Sequence, residues 1–532
     1  MSRTQRFLGG VTIGYASMVL AIAVGLWLTP FLLVRIGTHE YGLWLITTQI
    51  LGYLMLLDLG VVALAPRETA YATGRALGGG ADGVAMTFAR FRGIVQWQMM
   101  PVAIVSLAAW WLVAAQWPAL RWPIAIILVA FLAAFPLRLY HATLQGLQDL
   151  SYLGKVQLVS WTAGTLVTIV LVLAGTGLAA LAAGWVVTQA VSALACALRL
   201  KLRFSHVWNA PHVSPSLAQA RDLFGRSGWV SLTQIGHVFL SGSDVLVLGA
   251  VLGPAVTVPY ACTGKLITVL ANHPQLLMQA AAPAIAEMRT SARKADLRRV
   301  AVALMRAMLI LSGAVACFVL AANQTFVTWW VGAEQFAGTT LTLLLLAGML
   351  ARHFATTLIY ALFSFGHERR LSLTGISDGL VTIVTTLLLV SFTNLGLASA
   401  AIGSLTGVLL VSIPVCSLAL ARELEVTVAG LFGSIRSWAV RFALAAILSL
   451  VVSRLMPADG LAGIVAAGIV VAGVYLGLMW PLLMEPPLGQ YVRAGAEATA
   501  RVCGFRLPLD SPRLESRVPS ADAREPVVDP RT

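Results

Sequence analysis

This sequence is short of charge. Asp, Glu, Lys and Arg make up 11% of its 532 residues, where a soluble domain carries about 25%. So few charges cannot cover a water-facing surface, and 58% of the residues are apolar. Lipid is therefore the solvent for most of the chain. Alternating polar and apolar strands are also missing, which excludes a membrane β-barrel. The five cysteines (Cys196, Cys262, Cys317, Cys416 and Cys503) are scattered. Their spacing suits neither a disulfide framework nor a metal site, so no metal and no cofactor is expected. There is no H-E-x-x-H and no G-x-x-x-x-G-K, and the G-x-S-x-G at Gly375–Gly379 falls inside an apolar run where no strand-to-helix elbow is expected, which argues against the hydrolases and ATPases that carry those signatures. The first apolar run is too long for a cleaved leader, and no small-x-small site follows it. It should stay as a membrane anchor.

What is present is a series of long runs rich in Leu, Val and Ala. Fourteen of them, from 11–36 and 41–65 to 436–455 and 461–483, approach the roughly 20 residues that a membrane helix needs. The fold class is therefore an all-α integral membrane protein with about fourteen transmembrane helices. The net charge of +14 follows the same topology. With the N-terminus in the cytoplasm, the outer loops hold only Arg35, Arg121 and Arg454, and Lys265 and Arg352 sit within helices. The remaining Lys and Arg fall on the cytoplasmic side, as the positive-inside rule requires. Membrane lipids are the partner for these charges, and nucleic acid is not.

The chain repeats itself. GLAALAAG at 177–184 returns as GLASAAIG at 396–403, 219 residues on. Tyr140 and Gly146 return as Tyr360 and Gly366, Ala65-Pro66 as Ala282-Pro283, and Gly37 with Tyr41 as Gly253 with Tyr260. A period this long marks a duplicated domain, not a solenoid. Each repeat has an even number of helices, so the two lobes are related by an axis along the membrane normal. The expected domains are an N-lobe over 1–198 and a cytoplasmic linker over 199–228, which should hold a short amphipathic helix. A C-lobe over 229–420 and two extra helices over 421–485 follow. A polar, largely disordered tail over 486–532 ends the chain.

Charges inside apolar runs usually face a cavity or a partner. Lys265 lies about 9 Å and Asp244 about 12 Å below the outer surface at 1.5 Å per residue. They form either a structural ion pair or a cavity cation held by its acid. Arg352 lies about 18 Å down, too deep to snorkel, with His353 beside it. Asp58 and Asp378 lie near the inner third, each able to cap a helix or pair with a cation, Arg67 in the case of Asp58. Arg138 and Arg306 are expected to snorkel to headgroups. Lys265, Arg352 and His353 are thus candidate cavity residues, and Asp58, Asp244 and Asp378 candidate coupling or orienting acids.

Three segments carry a family resemblance. LTPFLLVRIGTHEYGLWLITTQILGYLMLLDLGVVALAPRETA at 28–70, LYHATLQGLQDLSYLGKVQ at 139–157 and DVLVLGAVLGPAVTVPYACTGKL at 244–266 resemble the polysaccharide-export flippases of the multidrug/oligosaccharidyl-lipid/polysaccharide exporter superfamily. The resemblance implies two six-helix lobes around a cavity that opens alternately to each side. It implies a substrate, an undecaprenyl-diphosphate-linked oligosaccharide moved from the cytoplasmic to the periplasmic leaflet of a bacterial inner membrane. Both termini would be cytoplasmic. An H+ or Na+ coupling ion and a polysaccharide polymerase or export protein are the partners it suggests. Two relatives fit less well. Residues 11–34 hold no Asp or Glu, unlike the cation-coupled drug antiporters, and no Arg, unlike the lipid II flippases. A membrane partner in envelope assembly without transport of its own is the remaining alternative.

Overall fold

A computed structural model describes residues 3–77, 83–214, 216–291, 294–433, 435–455, 460–486, 488–490 and 492–493. Among them there is no β-strand. Contacts gather Met1–Leu482 into one unit and Leu483–Thr532 into another, and the packing described here lies within the first. Most of the polar tail expected over 486–532 is outside the described residues.

The first repeat contains α1 (Arg3–Leu54), α2 (Val61–Leu77), α3 (Gly83–Gln116), α4 (Arg121–Ala134), α5 (Arg138–Gly146), α6 (Leu150–Leu173) and α7 (Leu178–Arg203), followed by the four-residue α8 (Ser205–Trp208). The second contains α9 (Leu217–Val251), α10 (Thr257–Ser291), α11 (Lys294–Val331), α12 (Thr339–Ser364), α13 (Glu368–Phe392) and α14 (Ala398–Gly407). A π turn at Val408–Ser412 leads from α14 into α15 (Ile413–Glu423). α16 (Val428–Gly433), α17 (Arg436–Leu455) and α18 (Gly460–Met484) complete the chain.

α1 is not one rod. In a continuous helix Thr29 and Tyr41 would be separated by about 18 Å of rise. Their hydroxyls lie 3.3 Å apart. The chain folds back at Gly37, whose φ of 84° and ψ of 164° belong to a region open essentially to glycine alone. The two apolar runs at 11–36 and 41–65 are therefore the arms of a hairpin. Its counterpart is the turn between α9 and α10, where Gly253 has φ 97° and ψ 158°.

Eleven of the described helices are long and apolar enough to cross a membrane, or thirteen if each of two bent pairs is one span. Fourteen was the sequence's figure, and the count of continuous helices does not reach it. α1 enters that count once, although the two arms that meet at Gly37 hold two of the sequence's runs. One bent pair is α4 with α5, at 46°. Pro136 stands at that break, where it cannot donate the next helical hydrogen bond.

The duplication reaches side-chain level. Thr168 of α6 lies against Gly184 of α7, and Thr386 of α13 lies against Gly403 of α14. Both contacts are close packings of the kind small residues allow between membrane helices. Gly177 and Gly396, just before α7 and α14, have φ of 57° and 54°. The ends are tied alike as well. Arg199 of α7 meets Asp149 before α6 at 2.8 Å, and Glu423 of α15 meets His367 before α13 at 2.7 Å.

The 199–228 segment, expected as a linker holding a short helix, carries the end of α7, the short α8 and the start of α9. α7 continues through Arg203 and α9 already begins at Leu217, leaving only α8 between them. Nothing in the sequence breaks α7 earlier, since the first proline there is Pro211. The two extra helices pack on the second repeat. α17 lies along α11, and Tyr475 of α18 donates to the Ile310 carbonyl at 2.6 Å.

Candidate functional site

Three polar clusters lie among the apolar helices. The first surrounds Asp58, which ends a 3-10 turn over Met55–Asp58. Leu59 and Gly60 then take positive φ, and the Gly60 amide donates to Asp58 Oδ1 at 2.9 Å. Gln98 of α3 donates to the Asp58 carbonyl at 2.8 Å. The other carboxylate oxygen accepts from Arg138 Nη2 at 3.0 Å, with Asp58 2% exposed. The partner of Asp58 is therefore Arg138, not Arg67, which lies 3.9 Å from Glu68. Arg138 does not snorkel, because the bend after α4 turns it back toward this acid.

A cavity of about 540 Å3 opens on this pair. Its wall includes Arg67, Arg138, His141, Gln145, Gln189 and Gln234. The last belongs to α9, so both repeats contribute. Guanidinium groups suit phosphate oxygens, and amides both donate to and accept from hydroxyls. The wall therefore has the chemistry for an anionic, hydroxylated headgroup.

The second cluster centres on Arg352 of α12. It donates through Nε and Nη2 to the Ser404 hydroxyl at 3.1 and 2.9 Å, and through Nη2 to the Ser404 carbonyl at 3.0 Å. Nη1 lies 3.5 Å from Asp378 Oδ2. Asp378 is fully buried and also accepts from Ser412, in the π turn, and from Thr382 at 3.3 Å. Arg352 itself keeps 24% of its side chain exposed. The third cluster is Asp244 of α9, which accepts from the Tyr260 hydroxyl at 2.7 Å. Its other oxygen is buried without a hydrogen bond among the described residues, and the positive charge of Arg352 reaches it.

Two expectations are corrected. Asp244 and Lys265 form no ion pair among the described residues. Asp244 turns to Tyr260 instead, and Lys265 makes neither an ion pair nor a hydrogen bond there. His353 does not share a surface with Arg352. It is 2% exposed, and its Nδ1 lies 2.6 Å from Ser312 of α11. Adjacent residues on a helix point about 100° apart, which puts one in the polar cluster and the other in a helix–helix contact.

The sequence pattern of the polysaccharide biosynthesis protein family matches residues 94–340. No curated protein matches the chain in sequence. Two solved structures share its architecture. An inward-facing multidrug resistance MATE family transporter of the MOP superfamily superposes with a TM-score of 0.56 at 14% identity, covering 79% of this chain and 98% of that one. The lipid II flippase MurJ in an inward closed conformation gives 0.60 at 10% identity, covering 89% and 100%. At such identities the likeness shows the fold, and the family pattern adds the polysaccharide kinship. Over residues 94–340 the chain is thus similar to the polysaccharide biosynthesis proteins, and its fold is the one seen in these two solved structures.

Several residues of the cavity wall and of the Asp58 and Arg352 clusters escaped sequence reasoning. Gln98, Gln145, Gln189, Gln234 and Ser404 are uncharged, and charge was the signal followed. A carboxamide in an apolar run also needs a partner in hydrocarbon, and that criterion would have found them.

Proposed function

We propose that the protein carries an undecaprenyl-diphosphate-linked oligosaccharide from the cytoplasmic to the periplasmic leaflet of a bacterial inner membrane, by alternating access between its two lobes. Both termini are then cytoplasmic. The observation that carries this reading is the cavity beside Asp58 and Arg138. In an otherwise apolar bundle it brings together guanidinium groups for a pyrophosphate and carboxamides for sugar hydroxyls. Arg352 and Lys265 serve the anionic head further along the path. Asp378 orients Arg352 and Asp58 orients Arg138, and these acids or Asp244, which keeps a carboxylate oxygen unmatched, exchange the coupling H+ or Na+. The product would pass to a polysaccharide polymerase or export protein. In this reading the lobes that alternate are the ones expected over 1–198 and 229–420.

The test is a flipping assay in proteoliposomes loaded with the lipid-linked glycan in one leaflet. The wild-type chain should make the glycan accessible to an external glycosidase, and R67Q and Q189L should slow this at least tenfold with normal insertion. No gain over empty vesicles would overturn the proposal, as would exchange of a quaternary ammonium drug in place of the glycan.

A further inference from the structure

At the end of the bundle where α12 turns into α13 there is a second pocket, of about 510 Å3. It shares no lining residue with the cavity beside Asp58. Arg369 and Arg370 line it, with the hydroxyl residues Thr374 and Ser377 one and two turns further along α13. Leu373, Val411 and Val415 form its apolar flank, and Leu373 and Val415 are exposed on the outer face of the helices. The lining contains no Asp or Glu. Of the acids nearby, Glu423 lies 2.7 Å from His367 and 3.9 Å from Arg289, and Glu368, exposed beside Arg369 in the chain, pairs with neither arginine among the described residues. Arg369 lies 5.2 Å from the Trp229 ring centre, a contact that consumes no hydrogen-bond donor. Arg370 has no ion pair among the described residues, and Ser377 no hydrogen bond.

Two arginines without a counter-ion, at a helix-end boundary and above an exposed apolar flank, are half of a recognition site. We propose that this pocket binds the phosphodiester headgroup of an anionic bilayer phospholipid, with the acyl chains lying along Leu373, Val411 and Val415. Arg369 and Arg370 hold the phosphate, and Ser377 donates a further hydrogen bond.

The position gives such a lipid a means of control. Ser377 of the pocket immediately precedes Asp378, and Val411 immediately precedes Ser412, which donates to Asp378. A lipid in the pocket, its headgroup at Ser377 and an acyl chain at Val411, therefore braces both sides of the hydrogen bond that fixes the acid of the Arg352 cluster.

The experiment uses the purified full chain in neutral detergent, followed by native mass spectrometry and thermal unfolding. Phosphatidylglycerol, phosphatidylcholine, undecaprenyl phosphate and inorganic phosphate are titrated separately and in competition. Phosphatidylglycerol should remain bound and raise the melting temperature. R369Q/R370Q should bind it at least tenfold more weakly, since each lost charge-assisted hydrogen bond is worth about a factor of ten. R369K/R370K should keep most of the affinity, which separates loss of charge from loss of fold. R298Q, at the start of α11 and outside the pocket, should bind normally. Unchanged binding by R369Q/R370Q would overturn the proposal, and so would an equal loss in R298Q. Equal retention of phosphatidylcholine would mean an apolar groove only. Displacement by inorganic phosphate would mean a free-anion site, and preferential displacement by undecaprenyl phosphate would assign the pocket to the carrier lipid.

Discussion

An arginine within a membrane helix is tolerated when its donors are taken up, and Arg352 shows how that happens here. The Ser404 hydroxyl and carbonyl and the Asp378 carboxylate accept from it. Asp378 in turn has two hydroxyl donors, Ser412 and Thr382. Removing one charge of a buried pair leaves the other uncompensated, at roughly 3–5 kcal/mol. Arg352 is partly exposed, so the lower end of that range applies. R352A should therefore lose both thermal stability and transport. R352A/D378N should regain most of the stability, because no lone charge remains, but not the transport if Arg352 handles the substrate. Melting in detergent and export of glycan in cells measure the two separately. Recovery of both in the double variant would make the pair structural. R352K should keep part of the stability but little transport if bidentate contact is needed, since a lysine cannot form the guanidinium fork.

At the scale of elements, two turns carry the hairpins of the two lobes. Gly37 and Gly253 have φ and ψ values that a side chain makes costly by about 1–3 kcal/mol. G37A and G253A should each lower stability by that amount. G25A, in a helical stretch with open space around its Cα, should be neutral or slightly stabilising. Thermal unfolding of the three variants is the measurement, and equal melting of all three would remove the conformational explanation. These turns are also where the sequence was most legible. Gly37 and Gly253 were paired by spacing alone, because a duplication keeps the residues its backbone cannot replace. Thr168 on Gly184 and Thr386 on Gly403 repeat for the same reason. The partner of Asp58 was not legible. Arg138 lies 80 residues away and reaches the acid only through the bend that follows α4. A charge's depth can be read from its distance to the end of an apolar run, but its direction depends on helix rotation. That is why the depth of Arg352 could be read, but not that its neighbour His353 turns toward Ser312 of α11.

At the scale of the whole molecule, a seam between the lobes runs along α1. The second arm of α1 runs against α9 and the turn that follows it. Gly42 sits on Pro254, Ile46 on Gly249 and Gln49 on Gly242. Tyr53 lies 5.9 Å from Phe239. Beyond Phe239 the seam gives way to the cavity, where Gln234 faces Arg67 and Gln189. The structure is therefore closed at the end marked by Gly253 and hollow at the other. Alternating access requires the closed end to part, which makes the seam testable. A Cβ built on Gly249 would lie 2.4 and 2.8 Å from Ile46 Cδ1 and Cγ1. Cysteines at both positions would thus bring their Cβ atoms near the roughly 4 Å that a disulfide needs. The four described native cysteines are buried, and C503S removes the fifth. In that background, oxidised I46C/G249C should insert normally and carry glycan no faster than empty vesicles, and a reductant should restore the rate. The single variants control for the core volume lost at Ile46. Undiminished transport with the disulfide fully formed would mean that this seam is a fixed pivot. The exit path would then have to open elsewhere between the lobes.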